Sequence, residues 1–249
     1  MRIVTIHAWA AAGFTRGAAD YERARPDYPS AAVDLLGLDA GKTVVDVGAG
    51  TGKLTRQLVE TAARVVAVEP LDAMRELIPA GAIEVLAGTA EALPLPSGIA
   101  DVVTAAQAFH WFKAADALGE MHRVLRPGGL LALLWNRRDL QDPVQREFMR
   151  ILSRHRAHPS LEAATPVEDS PLFTAPELRT FPHAQELDRE GLVAQAESES
   201  SIAVLEGEAR SAALADFARL ARTLPARFEL RFTTEVVLAR PFLRGSYRL

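Results

Sequence analysis

Between residues 43 and 136 the chain alternates short apolar runs with segments of helical period, and the runs are rich in β-branched residues. Val44, Val45 and Val47 suit a buried strand, and Leu54, Leu58 and Val59 then recur on one helix face. Repetition of this unit predicts strands near 43–47, 64–68, 82–87, 100–106 and 130–136, with helices near 52–62, 71–78 and 113–125. Short connections between such elements imply a parallel α/β sheet with helices on both faces. Right-handed crossovers then gather the carboxyl ends of the strands at one edge, where ligands of open α/β sheets bind. Beyond Asn136 the pattern loosens: 141–157 reads as a helix, 158–176 as a proline-rich connection, 177–187 as partly strand-like and 190–224 as one or two helices. Phe228, Leu230, Phe232 and residues 234–238 make a long final strand. Upstream, residues 14–37 carry a helical pattern broken by Pro26 and Pro29 and closed by Gly37.

The first strand runs into Gly48, Gly50 and Gly52 before the helix begins. Glycines in such a turn permit positive φ and close approach of the backbone to a ligand, while the first free N–H groups of the helix face the same crevice. A dinucleotide site wants G-x-G-x-x-G. Here the spacing is G-x-G-x-G, and Lys53 stands where the third glycine belongs. Glu69 closes the second apolar run at a distance that suits a carboxylate accepting hydrogen bonds from ribose hydroxyls. Ribose recognition survives this comparison better than pyrophosphate recognition.

Four blocks in order, Asp46-Val47-Gly48-Ala49-Gly50-Thr51-Gly52, Glu69-Pro70, Gly88-Thr89-Ala90-Glu91-Ala92-Leu93-Pro94 and Arg123-Val124-Leu125-Arg126-Pro127-Gly128-Gly129, resemble a class I S-adenosylmethionine-dependent methyltransferase of the type 11, small-molecule group. The resemblance implies a Rossmann-like α/β fold with a seven-stranded sheet, mostly parallel, whose last strand inserts antiparallel beside the fifth. It implies S-adenosylmethionine as cofactor, with S-adenosylhomocysteine as product. Residues 1–37 then form a tail and helical cap, and 38–249 the methyltransferase domain with 141–176 as an inserted cap segment. By the same resemblance Asp46 holds the glycine turn by accepting backbone hydrogen bonds or reaches the amino-acid part of the cofactor. Gly48, Ala49 and Gly50 offer close backbone approach, Glu69 with Pro70 takes the ribose diol, and Met74 covers the adenine. Thr89, Ala90 and Glu91 lie at the adenine edge, where many relatives place an acid in the position of Thr89. Tyr21 and Arg25, in a Y-x-x-x-R-P-x-Y-P-like segment, line the mouth of the site, with packing of the tyrosines and solvation of Arg25 as the alternative.

The fourth strand leads into Gln107-Ala108-Phe109-His110-Trp111-Phe112, which resembles the A-x-x-F-H-W-F segment of trans-aconitate methyltransferase-like enzymes and the His-Trp pair of carboxyl methyltransferases. Methyl transfer needs the nucleophile about 3 Å from the methyl and in line with it, and a base only where the acceptor carries a proton. For a carboxylate acceptor, the Trp111 N–H and the Gln107 amide orient the acceptor oxygen and His110 helps or supports the loop. For a phenol, enol or amine, His110 is the candidate base, since its unperturbed pKa of about 6.5 suits that duty. Gln107 also adjoins the cofactor.

Composition narrows the remaining classes. The apolar share of 49% supplies a sizeable core for one enzyme-sized domain and demands no second one. A net charge of −4 gives no footprint for nucleic acid, and zero cysteines exclude disulfides and thiolate metal sites, which reads as a reducing, cytoplasmic setting. Ile3 to Phe14 is apolar around Ala8-Trp9-Ala10, but His7 interrupts it and Arg2 alone precedes it, so it reads as a tail. No stretch reaches the roughly 18 apolar residues of a membrane span. His155 and His158 lack a third ligand in range and read as solvated, so no metal is expected. The expected partner is a small-molecule acceptor, with neither nucleic acid nor membrane involved, in a monomer or homodimer. The function from another class is a cofactor-binding sensor or partner subunit without catalysis; RNA or protein methylation lacks its basic surface or Asn-Pro-Pro-Tyr-like motif.

Overall fold

The β-branched runs pair as expected because each is apolar on both sides and must be covered on both faces. A computed structural model describes residues 24–62, 64–79, 81–156 and 167–242. Its strands are β1 (Thr43–Val47), β2 (Arg64–Val68), β3 (Ile83–Leu86), β4 (Ala100–Ala106), β5 (Leu125–Arg138), β6 (Glu177–Asp188) and β7 (Arg227–Ala239). They form one seven-stranded sheet in the order β3-β2-β1-β4-β5-β7-β6. The pairs β1–β2, β1–β4, β2–β3 and β4–β5 are parallel, whereas β7 lies antiparallel between β5 and β6. The strand order reverses direction at β1 and β4, which leaves a crevice outside their carboxyl ends.

The helices are α1 (Ser30–Asp34), α2 (Lys53–Val59), α3 (Asp72–Arg75), α4 (Ala114–Val124), α5 (Pro143–His155), α6 (Arg189–Glu197), α7 (Ser200–Ala203) and α8 (Gly207–Arg222). Alternate strand residues feed two apolar layers. Val45, Val47, Val66 and Val103 pack with Met121 and Trp135 on one face, and Val44, Val65, Val102 and Leu134 pack with Leu54 and Leu58 on the other. None of the described helices is long and apolar enough to cross a membrane.

Three local differences from the sequence reading have physical causes. The helix expected over 71–78 stops at Arg75, because Leu77 and Ile78 close the turn with i to i−3 bonds and Pro79 follows. β5 begins before residue 130, as Leu125 already pairs with Ala100; the register then jumps to Val102–Leu130 across Pro127, Gly128 and Gly129. The stretch 190–224 divides into α6, α7 and α8 rather than one or two helices.

A third apolar cluster exists that composition did not demand. Phe148, Leu192, Phe217, Leu230 and Phe232 join α5, α6 and α8 to the outer halves of β6 and β7. Among the described residues, this cap layer takes only α5 from the expected 141–176 segment, and α6–α8 come from the β6–β7 connection. Asp142 starts α5 by accepting from the Val144 N–H at 2.8 Å, with Pro143 at the first helical position.

Among the described residues, hydroxyls rather than backbone amides donate to Asp46, at the end of β1. Its Oδ2 accepts from the Thr55 hydroxyl of α2 at 2.6 Å, and its Oδ1 accepts from the Thr104 hydroxyl of β4 at 2.8 Å. All three residues are buried, so one carboxyl couples β1, α2 and β4. Burial pushes its pKa up to about 6, against the opposing pull of the two hydroxyls. An acid whose folded-state pKa lies above its ordinary 3.8 holds more protons folded than unfolded, so its share of stability is lost as pH rises through that window. Asp46→Asn removes the ionisation. Relative to the parent, its urea-unfolding free energy is expected to rise by about 3 kcal/mol between pH 4 and pH 7; a pH-independent difference contradicts this account.

Candidate active site

The glycine turn after β1 is folded back onto β2. Gly48 N–H and Ala49 N–H both donate to the Val68 carbonyl, at 2.8 and 3.2 Å. Gly48 has φ of 68°, and a Cβ there would lie 2.8 Å from Ala108 Cβ and 3.0 Å from Phe112 Cζ. Only glycine meets both conditions. Gly50 and Gly52 also have positive φ, 59° and 87°, and Gly52 opens α2.

Glu69, at the end of β2, is held where the turn meets the strand edge. Its Oε2 accepts from Gly50 N–H at 2.8 Å and its Oε1 from Leu71 N–H at 2.9 Å. Burial raises its pKa, opposed by those two N–H groups and by Arg75. Each carboxylate oxygen keeps a second lone pair, so a diol can still be received.

A cavity of about 370 Å³ opens over these groups, within the usual range of small-molecule sites. Asp46, Gly48, Ala49 and Gly50 line its β1 side, and Glu69, Pro70 and Met74 its β2 side. Thr89, Ala90 and Glu91 close it beyond β3, and Gln107 and Trp111 wall it at β4. Glu91 Oε1 accepts from Lys113 N–H at 2.8 Å, whereas Oε2 is buried with no hydrogen-bond partner among the described residues. Such an orphaned acceptor costs free energy until a donor reaches it.

Gln107 is the only non-glycine residue with positive φ among those described, at 53°. Backbone held there costs about 1–3 kcal/mol and clusters at functional positions. Its N–H donates to the Leu134 carbonyl at 2.8 Å and its Nε2 to the Asn136 carbonyl at 3.0 Å, tying the loop to β5.

His110 sits in a single 3₁₀ turn, Phe109–Trp111, and does not line the cavity. Its Nδ1 is buried without a partner among the described residues, and its ring lies 5.0 Å from that of Trp111. Burial first, then the charges of Arg137 and Arg25, push its pKa down to about 4. The ordinary value on which a general-base role relied therefore does not apply in the fold.

The mouth is formed by residues 25–28. Tyr28 is buried against α2, where Gln57 clamps its backbone, accepting from its N–H at 3.1 Å and donating to its carbonyl at 2.7 Å. Asp27 pairs with Lys53 at 3.1 Å, and Asn136 Nδ2 donates to the carbonyls of Pro26 and Asp27, each at 3.3 Å. Arg25 lines the cavity; Tyr21 lies outside the described residues.

Sequence reasoning missed Asn136, Arg138 and Phe232, which complete the wall. Asn136 and Arg138 carried a signal, as polar residues at alternate positions after the apolar run of β5. Phe232 carried none, because it reaches the site by antiparallel pairing with Arg138. Arg138 stacks over Phe148 at 3.8 Å and donates to Gln145 at 2.7 Å, Gln195 at 2.8 Å and Glu199 at 2.9 Å. Burial lowers its pKa, opposed by Glu199.

No group of three potential metal ligands exists among the described residues. His155 Nε2 instead meets Asp216 Oδ2 at 2.8 Å, so it is paired rather than simply solvated, and His158 lies outside the described residues.

A family model described as "Methyltransferase domain" matches residues 45–133. An uncharacterised methyltransferase-like protein of Schizosaccharomyces pombe is 35% identical over 224 residues, covering 85% of this chain and 87% of that protein. An uncharacterised methyltransferase of Mycobacterium tuberculosis is 48% identical over 136 residues, which is 54% of this chain and 56% of that one. The chain thus spans little more than half the length of the mycobacterial relative. A solved structure from Anaeromyxobacter dehalogenans, assigned as a type II methyltransferase, superposes with a TM-score of 0.67 at 25% identity, over 86% of this chain and 96% of its own.

With its folded-state pKa lowered, His110 contributes stability that is present above its ordinary value of 6.5 and is lost as pH falls toward 4. Its ring-proton NMR resonances are expected to stay at neutral-imidazole positions down to about pH 5. A midpoint near pH 6.5 contradicts the burial argument.

Proposed function

The chain belongs to the class I S-adenosylmethionine-dependent methyltransferases, and from that premise we propose that it methylates a small-molecule acceptor on oxygen, with a carboxylate as the receiving group. The residues present fit the cofactor. The Gly48 cradle, which any Cβ would obstruct, gives backbone approach; Glu69 keeps lone pairs for a diol; and the orphaned Glu91 Oε2 waits for a donor such as an adenine amino group. When bound, the cofactor supplies a methyl group on a sulfonium sulfur, already activated for in-line displacement.

The protein's share of the chemistry is then binding, alignment and exclusion of water. Glu69 grips the ribose, Met74 and Pro70 cover the base, and Gly48 to Gly50 adjoin the amino-acid part. Gln107 and the Trp111 indole stand at the end of β4, where they orient the acceptor oxygen. The observation that carries the carboxylate reading is the charge at this end of the cavity. Arg138 of β5 lines it, while His110, the candidate base, is withdrawn from the lining and held neutral. An acceptor that is ionised already at neutral pH needs no base. A phenol or amine needs one.

Glu69→Ala is expected to weaken S-adenosylhomocysteine binding by about 1.5–3 kcal/mol, the scale of hydrogen bonds to a charged group. Unchanged affinity by calorimetry contradicts the ribose assignment. Trp111→Phe is expected to cut turnover roughly tenfold or more while leaving that affinity within about twofold, since one charge-assisted donor is lost at the acceptor alone. The reaction itself is read from S-adenosylhomocysteine release against a panel of carboxylic acids, phenols and amines. Turnover confined to phenols or amines removes the carboxylate reading.

A further inference from the structure

Two guanidinium groups of the cavity wall converge on one carboxylate that is not part of that wall. Glu199, between α6 and α7 in the cap layer, meets Arg25 Nη2 with its Oε2 at 3.0 Å and Arg138 Nη2 with its Oε1 at 2.9 Å. Each oxygen serves one arginine. Next to it, Ser198 accepts from Arg25 Nε at its hydroxyl, 3.0 Å, and from Arg25 Nη2 at its carbonyl, 3.1 Å. The Ser198 hydroxyl in turn donates to the Gln195 carbonyl at 2.7 Å. The Ala24 carbonyl receives the side-chain amides of Gln185 and Gln195, at 3.1 and 3.2 Å.

The two arginines stand on different kinds of backbone. Arg138 grows from a central strand, rests on Phe148 and is held by two buried glutamines. Arg25 belongs to a non-helical segment that joins the cap through Ser198 and Glu199. Without the carboxylate, two like charges face one another in a confined space, and the one carried outside helix and strand yields.

We propose that Glu199 is a positioning residue: from the cap layer it fixes Arg25 against Arg138 in the cavity wall, so that cofactor affinity depends on a side chain that does not line the cavity. The proposal rests on the reading that Arg25 lines the cofactor's pocket. It gives the β6–β7 connection a second role besides covering the outer sheet, because closure of the pocket mouth requires the cap to be in place.

The test is calorimetry with S-adenosylhomocysteine on the full chain, on Glu199→Gln, on Arg25→Met and on the double variant. Each single variant is expected to bind about tenfold more weakly, the low end for a hydrogen bond to a charged group. The double variant is expected to bind no more weakly than either single one, because both remove the same contact. A merely structural role predicts losses that multiply, and that result overturns the proposal. So does Glu199→Gln binding within twofold of the parent. Should Glu199→Gln fail to fold, Glu199→Asp, whose shorter carboxylate cannot reach both arginines, is read in the same way against Arg25→Met. A parent chain that does not bind S-adenosylhomocysteine overturns the cofactor reading together with this proposal, whereas a binding parent with an insensitive Glu199 overturns this proposal alone.

Discussion

The site depends on a bend that β1 cannot hold by itself. Gly48 and Ala49 give their N–H groups to the last carbonyl of β2, and Gly50 gives its own to the carboxylate that follows. The bend is therefore shared between two strands, and its shape is that of the gap between their carboxyl ends. A side chain at Gly48 would strike Ala108 and Phe112 from the β4 loop, so a third strand bears on it as well. Asp46 completes the arrangement from below, joining β1 to α2 and β4 through two threonine hydroxyls. A ligand laid on this bend meets backbone already oriented, with little ordering entropy left to lose.

Charge is distributed unevenly around the cavity. The acids that line it, Asp46, Glu69 and Glu91, stand toward β1, β2 and β3 with Lys53 of α2 beside them, while Arg25 and Arg138 stand toward β5 and the mouth. Glu199 balances part of that positive charge from behind the wall. Burial pushes Glu199 up, but the two arginines more than offset it, so its carboxyl sits below the ordinary range and stays ionised. His110, shielded from water and near Arg137 and Arg25, has its pKa lowered as well and so loses its proton. One electrostatic environment thus ionises an acid and neutralises a base within the same region.

The outer half of the molecule follows from the length of β6 and β7. These strands extend past the end of β5, and the face they expose there is apolar at Leu230 and Phe232. The four cap helices α5–α8 cover it. Covering that face also brings Ser198 and Glu199 to the pocket mouth, where Asn136, Gln185 and Gln195 hold the carbonyls of Ala24, Pro26 and Asp27. The polar contacts form in an otherwise apolar layer because an extended segment has backbone groups that no helix or strand satisfies.

The sequence by itself determined the parallel half of the sheet, since periods of 2 and 3.6 are written locally in β-branched runs and in Leu54, Leu58 and Val59. It also determined the glycine bend and the position of Glu69, because positive φ and a strand-ending acid are properties of single residues at fixed spacing. The last strand's place beside the fifth was implied by the resemblance, but it is the fold's long-range contacts that bring Phe232 and Arg138 together at the wall and draw α6–α8 of the cap from a later segment. Contacts such as Arg138 with Phe232 and Phe148 with Phe217 join residues far apart in the chain and leave no local period. The same holds for ionisation: a sequence assigns His110 its solution pKa, and the burial that changes it exists only once the layers have closed around the ring.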